Sequence, residues 1–219
     1  ITKTNQNHIL IYPNMNLFKK IFVAIITLLS FNMMAQSNKP LTAVFKQSYE
    51  YEATKNYEAA VNVINSLYSE TSYEINLRLG WLYYLSAKHK ESVTYYQKAS
   101  TIMPAATEPL WGIINPYAKL ENWNEVEKTY HSILKIDSKN TKANYNLGLI
   151  YYYRKDYKEA KKYFDVDLNL APFGYNNLLM SAWTNYYLGN KNEASVLFNK
   201  VLLYSPNDKS ALEGLSLIK

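Results

Sequence analysis

Three histidines and a pair of carboxylates have the greatest capacity for acid–base or metal chemistry in this sequence. His8, His89 and His131 are far apart, and none has another histidine three or four residues away, the spacing of a metal pair on a helix. We expect His89 and His131 to be solvated. Asp165 and Asp167 lie among lysines, which favours a solvated, charged helix surface. No phosphate-binding loop, G-x-G-x-x-G or G-x-S-x-G motif occurs. These patterns predict a protein that is not an enzyme and uses no cofactor or metal.

Composition narrows the class of fold and the class of partner. The 219 residues include 6 glycines, 7 prolines and no cysteine. Few chain breakers favour long helices over many short strands, and the lack of cysteine excludes disulfides and thiolate metal sites. Part of the net charge of +6 comes from the first 35 residues, and elsewhere basic residues alternate with acidic ones. We therefore do not expect nucleic-acid binding, which would need basic residues clustered on one face.

Residues 15–36 have the layout of a secretory signal. Lys19 and Lys20 precede a short apolar run that ends at Leu29, and Ala35 is a small residue before a polar stretch. The apolar run is shorter than the ~20 residues that cross a bilayer comfortably.

We therefore expect residues 15–35 to be a signal peptide cleaved near Ala35, with residues 1–14 an unstructured upstream extension. The mature protein would then lie in the periplasm or at the outer envelope of a bacterium. A buried N-terminal helix or an uncleaved anchor is the alternative interpretation.

A repeat of 34 residues organises the rest of the chain. Its clearest copy has five marker residues, which are Gly148, Tyr151, Ala160, Phe164 and Pro172, and similar residues recur at most of these positions in other copies. The first markers and the last markers each have helical spacing, and a short polar turn separates the two groups. Each copy therefore predicts a helical hairpin.

These markers resemble the pattern of the tetratricopeptide repeat family, W-x2-L-G-x2-Y, then A-x3-F, then P. The resemblance extends from about Leu41 to Asp208. It implies an all-α fold, a right-handed superhelical solenoid of antiparallel helix hairpins with a capping helix at its C-terminal end. The implied repeats span 41–72, 73–106, 107–140, 141–174 and 175–208, and the capping helix spans 209–219.

The third copy departs most from the family pattern. Ile114 stands at a normally small position, Ser138 replaces the final proline, and Pro116 lies in the middle of the first helix. An interior proline removes a backbone hydrogen bond and kinks a helix. The irregularity either widens the middle of the array or is simply tolerated.

Gly148 and Gly80 lie, in this register, where the first helix of a hairpin crosses the second, opposite Ala160 and Ser92. We expect the small residues to let the two backbones approach closely. That packing would offset the ~1 kcal/mol that glycine costs in a helix relative to alanine.

The family resemblance also implies a binding surface, because first helices line the concave face of such arrays. The positions that point into this groove hold many aromatic residues, and the implied partner-binding residues are Trp81, Tyr84, Trp111, Asn115, Tyr145, Tyr152, Tyr153, Trp183, Tyr186 and Tyr187. Aromatic side chains combine a large apolar area with a polar edge, which suits an interface. The implied function is a protein-interaction scaffold that binds a peptide segment or partner helix, with envelope assembly or secretion as its setting.

Three alternatives stay open on the sequence. The rings could instead pack between adjacent repeats. Rows of tryptophan and tyrosine also stack on sugars, although Asn115 is the one interleaved polar residue that clearly suits a glycan site. The chain could also be a structural subunit that forms homo-oligomers through Leu212, Leu215 and Ile218 of its last helix.

One known binding mode of the family is not expected. Members that hold the C-terminal carboxylate of a chaperone do so with a lysine and an asparagine on successive first helices. The lysine position here holds Phe45, Leu77, Trp111, Tyr145 and Leu179. We expect a protein or peptide partner, and contact with a membrane only indirectly, through envelope complexes.

Overall fold

The computed structural model describes residues 40–218, and the chain divides into two compact units, with the boundary between Tyr68 and Ser69. The predicted upstream extension and export signal, residues 1–35, lie outside the described residues. Residues 40–218 form eleven helices and no strand. The predicted all-α fold of consecutive helix hairpins is confirmed. Within the described range, no helix combines the length and the apolar content that crossing a bilayer requires.

The first unit contains one helix hairpin. Helix α1 (Leu41–Ala53) packs against α2 (Tyr57–Asn65). Val44 on α1 and Ile64 on α2 are fully buried. The side chain of Asn56 accepts a hydrogen bond from the N–H of Ala59 and so caps the start of α2.

The second unit contains four hairpins and one further helix. Its elements are α3 (Tyr73–Leu85), α4 (His89–Ile102), α5 (Glu108–Lys119), α6 (Trp123–Ile136), α7 (Thr141–Tyr153), α8 (Tyr157–Leu170), α9 (Tyr175–Tyr187), α10 (Lys191–Tyr204) and α11 (Lys209–Ile218). We call α3, α5, α7 and α9 the first helices, and α4, α6, α8 and α10 the second helices. Each first helix packs against the second helix that follows it, and α11 packs against α9 and α10.

All five hairpin turns use one backbone device. Each contains a single residue with a left-handed φ between 57° and 80°, and these residues are Lys55, Ala87, Glu121, Lys155 and Gly189. The next amide donates to the carbonyl group five residues back, as from Lys88 to Tyr83 and from Asp156 to Tyr151, each at 2.9 Å. This bond satisfies a carbonyl group that the end of the first helix would otherwise leave unpaired.

Aromatic rings on second helices lie directly over glycines on first helices. A β-carbon added to Gly148 would come within 2.5 Å of the Phe164 ring, and one added to Gly80 would come within 2.8 Å of the Tyr96 ring. Tyr96 also covers Gly112 of the next hairpin. The glycines are therefore explained by ring packing more than by the approach of the two backbones that the sequence suggested.

Ser92 does lie opposite Gly80, as the sequence predicted. Its hydroxyl donates a hydrogen bond to the carbonyl oxygen of Gly80 at 2.7 Å. A small polar side chain thus ties the two helices together beside the ring.

The α5/α6 hairpin carries the irregularities seen in the sequence. Ile114 takes the position of the glycine, and it is buried in one core cluster with Tyr130 and Ile133. Pro116 is buried inside α5, which nevertheless runs as one helix.

Neighbouring first helices also contact one another. Within residues 69–218, α3 packs on α5, and α7 packs on α9, whereas α5 and α7 do not pack extensively on each other. The pair with less contact, α5 and α7, includes the helix that carries Ile114 and Pro116, where the sequence analysis left a widening of the array open.

Candidate functional site

The ten sequence-predicted partner-binding residues all lie on the first helices of the second unit. Trp81 and Tyr84 are on α3, Trp111 and Asn115 on α5, Tyr145, Tyr152 and Tyr153 on α7, and Trp183, Tyr186 and Tyr187 on α9. Their role in binding stays a prediction, and the structure shows what each of them touches.

Six rings meet at the ends of α7 and α9 and the start of α8. We call this set the aromatic cluster, and it comprises Tyr152, Tyr153, Tyr157, Trp183, Tyr186 and Tyr187. Tyr157 and Tyr187 stack with ring centroids 4.6 Å apart and ring planes at 11°. The ring of Tyr152 lies 6.0 Å from that of Tyr187 and 5.5 Å from that of Tyr157. The sequence analysis missed Tyr157, because it begins a second helix and so fell outside the groove positions.

The aromatic cluster has an exposed side. Tyr153 exposes 75% of its surface and Tyr187 exposes 49%, while Tyr152 is half-buried. Burial, followed by the neighbouring phenols Tyr187 and Tyr157, raises the pKa of Tyr152 above its ordinary value. The shift extends to higher pH the range over which this phenol keeps its O–H donor.

Trp183 is partly a packing residue. Its ring centroid lies 5.0 Å from that of Phe198, and its indole N–H donates to the hydroxyl of Ser210 on α11 at 2.9 Å. Trp183 thus helps to hold α11 in place, and its removal would disturb the end of the array as well as the cluster.

Trp111 also packs inward. It lies against the core cluster of α5 and α6, with its ring centroid 6.0 Å from that of Tyr130. The ammonium of Lys142 lies 4.5 Å from the centroid of the Trp111 ring, in cation–π contact.

The remaining predicted residues are more open or lie elsewhere. Trp81 is exposed beside Tyr84, with ring centroids 5.9 Å apart, and Asn115 is exposed. Tyr145 is half-buried, 5.9 Å from the Phe164 ring, and borders a cleft.

That cleft is formed by α7, α8, the start of α9 and the end of α10, and it has a volume of about 380 Å³. Its lining includes Lys142, Tyr145, Asp167, Tyr175, Asn177 and Tyr204. We call it the Asp167 cleft. No sequence motif pointed to it, because its walls come from four helices.

The expectation that Asp167 lies on a solvated surface is wrong. Asp167 is 8% exposed, and burial raises the pKa of its carboxyl group. Asp165 fits the expectation better, because it forms an ion pair with Lys161 at 3.0 Å. Only one residue lies between Asp165 and Asp167 in the sequence, yet their carboxylates lie in different environments.

The histidines are likewise less solvated than expected. His131 is half-buried, with Nε2 3.4 Å from the hydroxyl of Tyr151 and 3.9 Å from Glu127. His89 is half-buried beside the Tyr84 ring. Within residues 40–218, no group of three or more histidine and acidic side chains could hold a metal ion.

Comparisons with known proteins agree with this architecture. Residues 73–105 and 141–173 each match a family model described as tetratricopeptide repeat. The structure resembles the crystal structure of a tetratricopeptide repeat protein from Parabacteroides merdae, with a TM-score of 0.65 and 20% identity, over 81% of this chain and 72% of that one. It also resembles YrrB, described as a TPR protein with an unusual peptide-binding site, with a TM-score of 0.61 and 14% identity, over 81% of this chain and 98% of that one.

Among curated proteins, the chain is similar to the BBSome complex member BBS4 of Mus musculus. The two are 22% identical over 168 residues, which is 75% of this chain and 32% of the relative. The chain thus spans about a third of the length of that relative. The chain thus contains two tetratricopeptide repeats, residues 73–105 and 141–173, within an architecture of consecutive helix hairpins.

Proposed function

We propose that the protein is a non-enzymatic scaffold that binds a peptide segment or helix of a partner protein on the face of its first helices. The observation that carries the proposal is the aromatic cluster, in which rings from two first helices meet and remain partly exposed. Large aromatic side chains dominate the energy of many protein interfaces. The likeness to YrrB, whose description names a peptide-binding site, supports the same kind of partner.

The cluster is suited to binding because its rings are held in place before a partner arrives. Tyr187 is stacked on Tyr157, and Trp183 is fixed by its bond to Ser210. Side chains that are already ordered lose less conformational entropy when a complex forms. Tyr153 is then free to supply apolar area and a hydroxyl group to the partner.

Export and a role in envelope assembly or secretion belong to the same proposal. They rest on the layout of residues 15–36 alone. Cell fractionation with sequencing of the mature N-terminus tests them. Cleavage near Ala35 is expected, and a full-length chain retained in the cytoplasm would show that this part is wrong.

Cross-linking in cells of the native host, followed by mass spectrometry, tests the binding face. The variant is Tyr153→Ala/Tyr187→Ala, because both side chains are exposed and their loss leaves the core intact. Trp123→Ala is the matched control, since Trp123 is 59% exposed but begins α6, outside the aromatic cluster. A defined partner should be captured by the natural protein and the control, and lost in the variant. If the natural protein, the variant and the control all capture the same partners, the binding site must lie on another face of the protein.

Self-association through α11 is a second candidate, and one observation favours it. Leu212 is exposed on α11, although Leu215 and Ile218 pack against the core of α9 and α10. Light scattering over a wide concentration range should then show dimers that Leu212→Lys abolishes. A monomer at every concentration would remove this candidate.

A further inference from the structure

Asp167 breaks the pattern of burial that the repeats share. The corresponding residues of the other three hairpins of the second unit, 34 or 68 positions away, are Ala99, Ile133 and Val201, and each is apolar and fully buried. Asp167 is 8% exposed, and within residues 40–218 no hydrogen bond or ion pair reaches its carboxylate. A largely buried acid without a partner gives the fold neither apolar packing nor a hydrogen bond, and its carboxylate opens onto the cleft, so packing does not explain the residue.

The start of α9 does not explain Asp167 either. A helix N-terminus favours a nearby negative charge, and Gly174 at the cap of α9 offers no side-chain acceptor. However, no amide of α9 donates to Asp167. Where this chain does cap a helix with an acid, the contact is plain, as at Asp208, which accepts from the N–H of Ala211 at 2.9 Å.

The walls of the Asp167 cleft suit a positive charge. Tyr145, Tyr175 and Tyr204 line it, and the faces of aromatic rings attract cations. Tyr175 donates its hydroxyl hydrogen to Asp208 at 2.6 Å, so that phenol is not free to donate to Asp167. Lys142 also lines the cleft, but its ammonium lies over the Trp111 ring. The carboxylate of Asp167 is thus left without a cation of its own.

The cleft is also placed to serve a bound segment. Tyr145 belongs to the groove positions of α7 and at the same time borders the cleft. A volume of about 380 Å³ is near the lower end for ligand pockets, and it has room for one long side chain.

We propose that the Asp167 cleft receives a lysine or arginine side chain of the partner segment. This inference rests on the proposed function and names the chemistry of one partner residue. The cation would form a charge-assisted hydrogen bond with Asp167, and its stem would lie against the tyrosine rings. Because burial raises the pKa of the carboxyl group in the empty cleft, a bound cation would favour the ionised form and lower that pKa again.

Selection from a random peptide library displayed on phage, with the full chain as the target, provides the probes. The selected peptides should share a lysine or arginine at one position. Replacing that residue with norleucine, which keeps the length and removes the charge, should weaken binding to the natural protein about tenfold or more.

The matched protein variants are Asp167→Asn and Asp165→Asn. Asp167→Asn should weaken binding of the cationic peptide by a similar factor, and it should show no further loss with the norleucine peptide, because the two changes remove one interaction. Asp165→Asn should leave both affinities unchanged, since Asp165 pairs with Lys161. Peptides without a shared cation, or full binding by Asp167→Asn, would overturn the inference and leave the proposed function standing.

A second probe covers the case in which no peptide is selected. n-Butylguanidinium carries the charged end of an arginine, and carbon NMR of labelled aspartate carboxyl groups reports its binding at Asp167. If n-butylguanidinium binds at Asp167 but no peptide is selected, the cleft would be a site for a free small cation. The proposal that it receives a partner's side chain would then be wrong. Failure of both probes would overturn the cleft inference and the peptide-binding proposal together.

Thermal melting separates the proposal from a structural role for Asp167. The proposal predicts that Asp167→Asn melts no lower than the natural protein, because no hydrogen bond or ion pair within residues 40–218 is lost with the carboxylate. A clear fall in melting temperature would mean that the carboxylate supports the fold, and the proposal would then be wrong.

Discussion

In the α7/α8 hairpin the Phe164 ring lies on Gly148, and an aspartate follows one turn later at Asp167. In the neighbouring α5/α6 hairpin the same positions hold Tyr130, Ile114 and Ile133, all buried in one apolar core. The two hairpins share their turn conformation and their helix lengths to within one residue or so. Their difference shows that the repeat fixes the backbone while individual core positions are free to carry a charge.

The two hairpins also differ in what their central residues contribute. The α5/α6 hairpin fills these three positions with hydrophobic side chains, and it accommodates Pro116 inside a helix. The α7/α8 hairpin combines a tight ring-on-glycine contact with a buried acid that opens onto a cleft. Apolar packing is therefore distributed unevenly along the array.

Removing the ring on the glycine should have the largest effect. Phe164→Ala should lower the free energy of unfolding by about 3–5 kcal/mol, because Phe164 is fully buried and Gly148 has no side chain to fill the space. Tyr130→Ala should cost about 1 kcal/mol less, since Ile114 shares that core and can relax into it. Urea unfolding of both variants checks this, and equal losses would erase the contrast between the hairpins.

Filling the glycine should come next. Gly148→Leu should cost ~1–3 kcal/mol, because even a β-carbon would press on the Phe164 ring. The matched change Ile114→Leu conserves volume and should cost less than about 1.5 kcal/mol. Thermal melts measure both, and an unchanged Gly148→Leu would contradict the assigned register.

Exchanging the acid for an apolar residue should make α7/α8 resemble its neighbours. Asp167→Val should raise the free energy of unfolding by about 1 kcal/mol, because a buried carboxylate without a partner is replaced by the residue found at Val201. The converse change Ile133→Asp should be clearly destabilising, since Ile133 is fully buried. Chemical denaturation of the two variants tests the pair, and a loss in both would assign Asp167 a structural role.

The effect of Asp167 should also depend on pH. Burial raises the carboxyl pKa above its ordinary value of 3.8, so the natural protein should lose stability as pH rises from that value through the raised one. Asp167→Asn lacks this loss. Melting temperatures across the acid range should show a growing advantage of the variant with rising pH, and a constant difference would contradict the raised pKa. The other titratable groups of the cleft lining are Lys142, Tyr145, Tyr175 and Tyr204, and Asp208 accepts a hydrogen bond from Tyr175. All of them are present in both proteins, so their titration cancels in the comparison.

The smallest effect should be found where the two hairpins are alike. Glu121 and Lys155 both have a left-handed φ in their turns, which costs a residue with a side chain more than it costs glycine. Glu121→Gly and Lys155→Gly should each stabilise the chain by about 0.5 kcal/mol. Calorimetry should find equal gains, and unequal gains would place part of the difference between the hairpins in their turns.

The sequence predicted the hairpins well because burial at helical spacing is a local property that repeats along the chain. It did not predict that Phe164 covers Gly148, since that contact depends on how two helices cross. Asp167 was misassigned because nearby lysines suggested solvent. The periodicity itself held the better signal, since Ile133 and Val201 occupy the equivalent positions.

The candidate site was less predictable than the fold. Trp111 and Trp183 lie on first helices as expected, but their rings also pack on Tyr130 and Phe198. How a side chain divides its surface between neighbours and solvent depends on the crossing of several helices. The spacing of residues along a single helix does not reveal this division.

The ring of Tyr96 touches Gly80 in its own hairpin and Gly112 in the next. One side chain therefore belongs to two structural repeats at once, and neither repeat can open fully without releasing it. Amide hydrogen exchange along α3 to α5 should consequently proceed as one cooperative unit. Where no shared ring joins neighbouring hairpins, we expect their amides to exchange independently. The boundary between cooperative and independent exchange would then mark the place where local unfolding of the array begins.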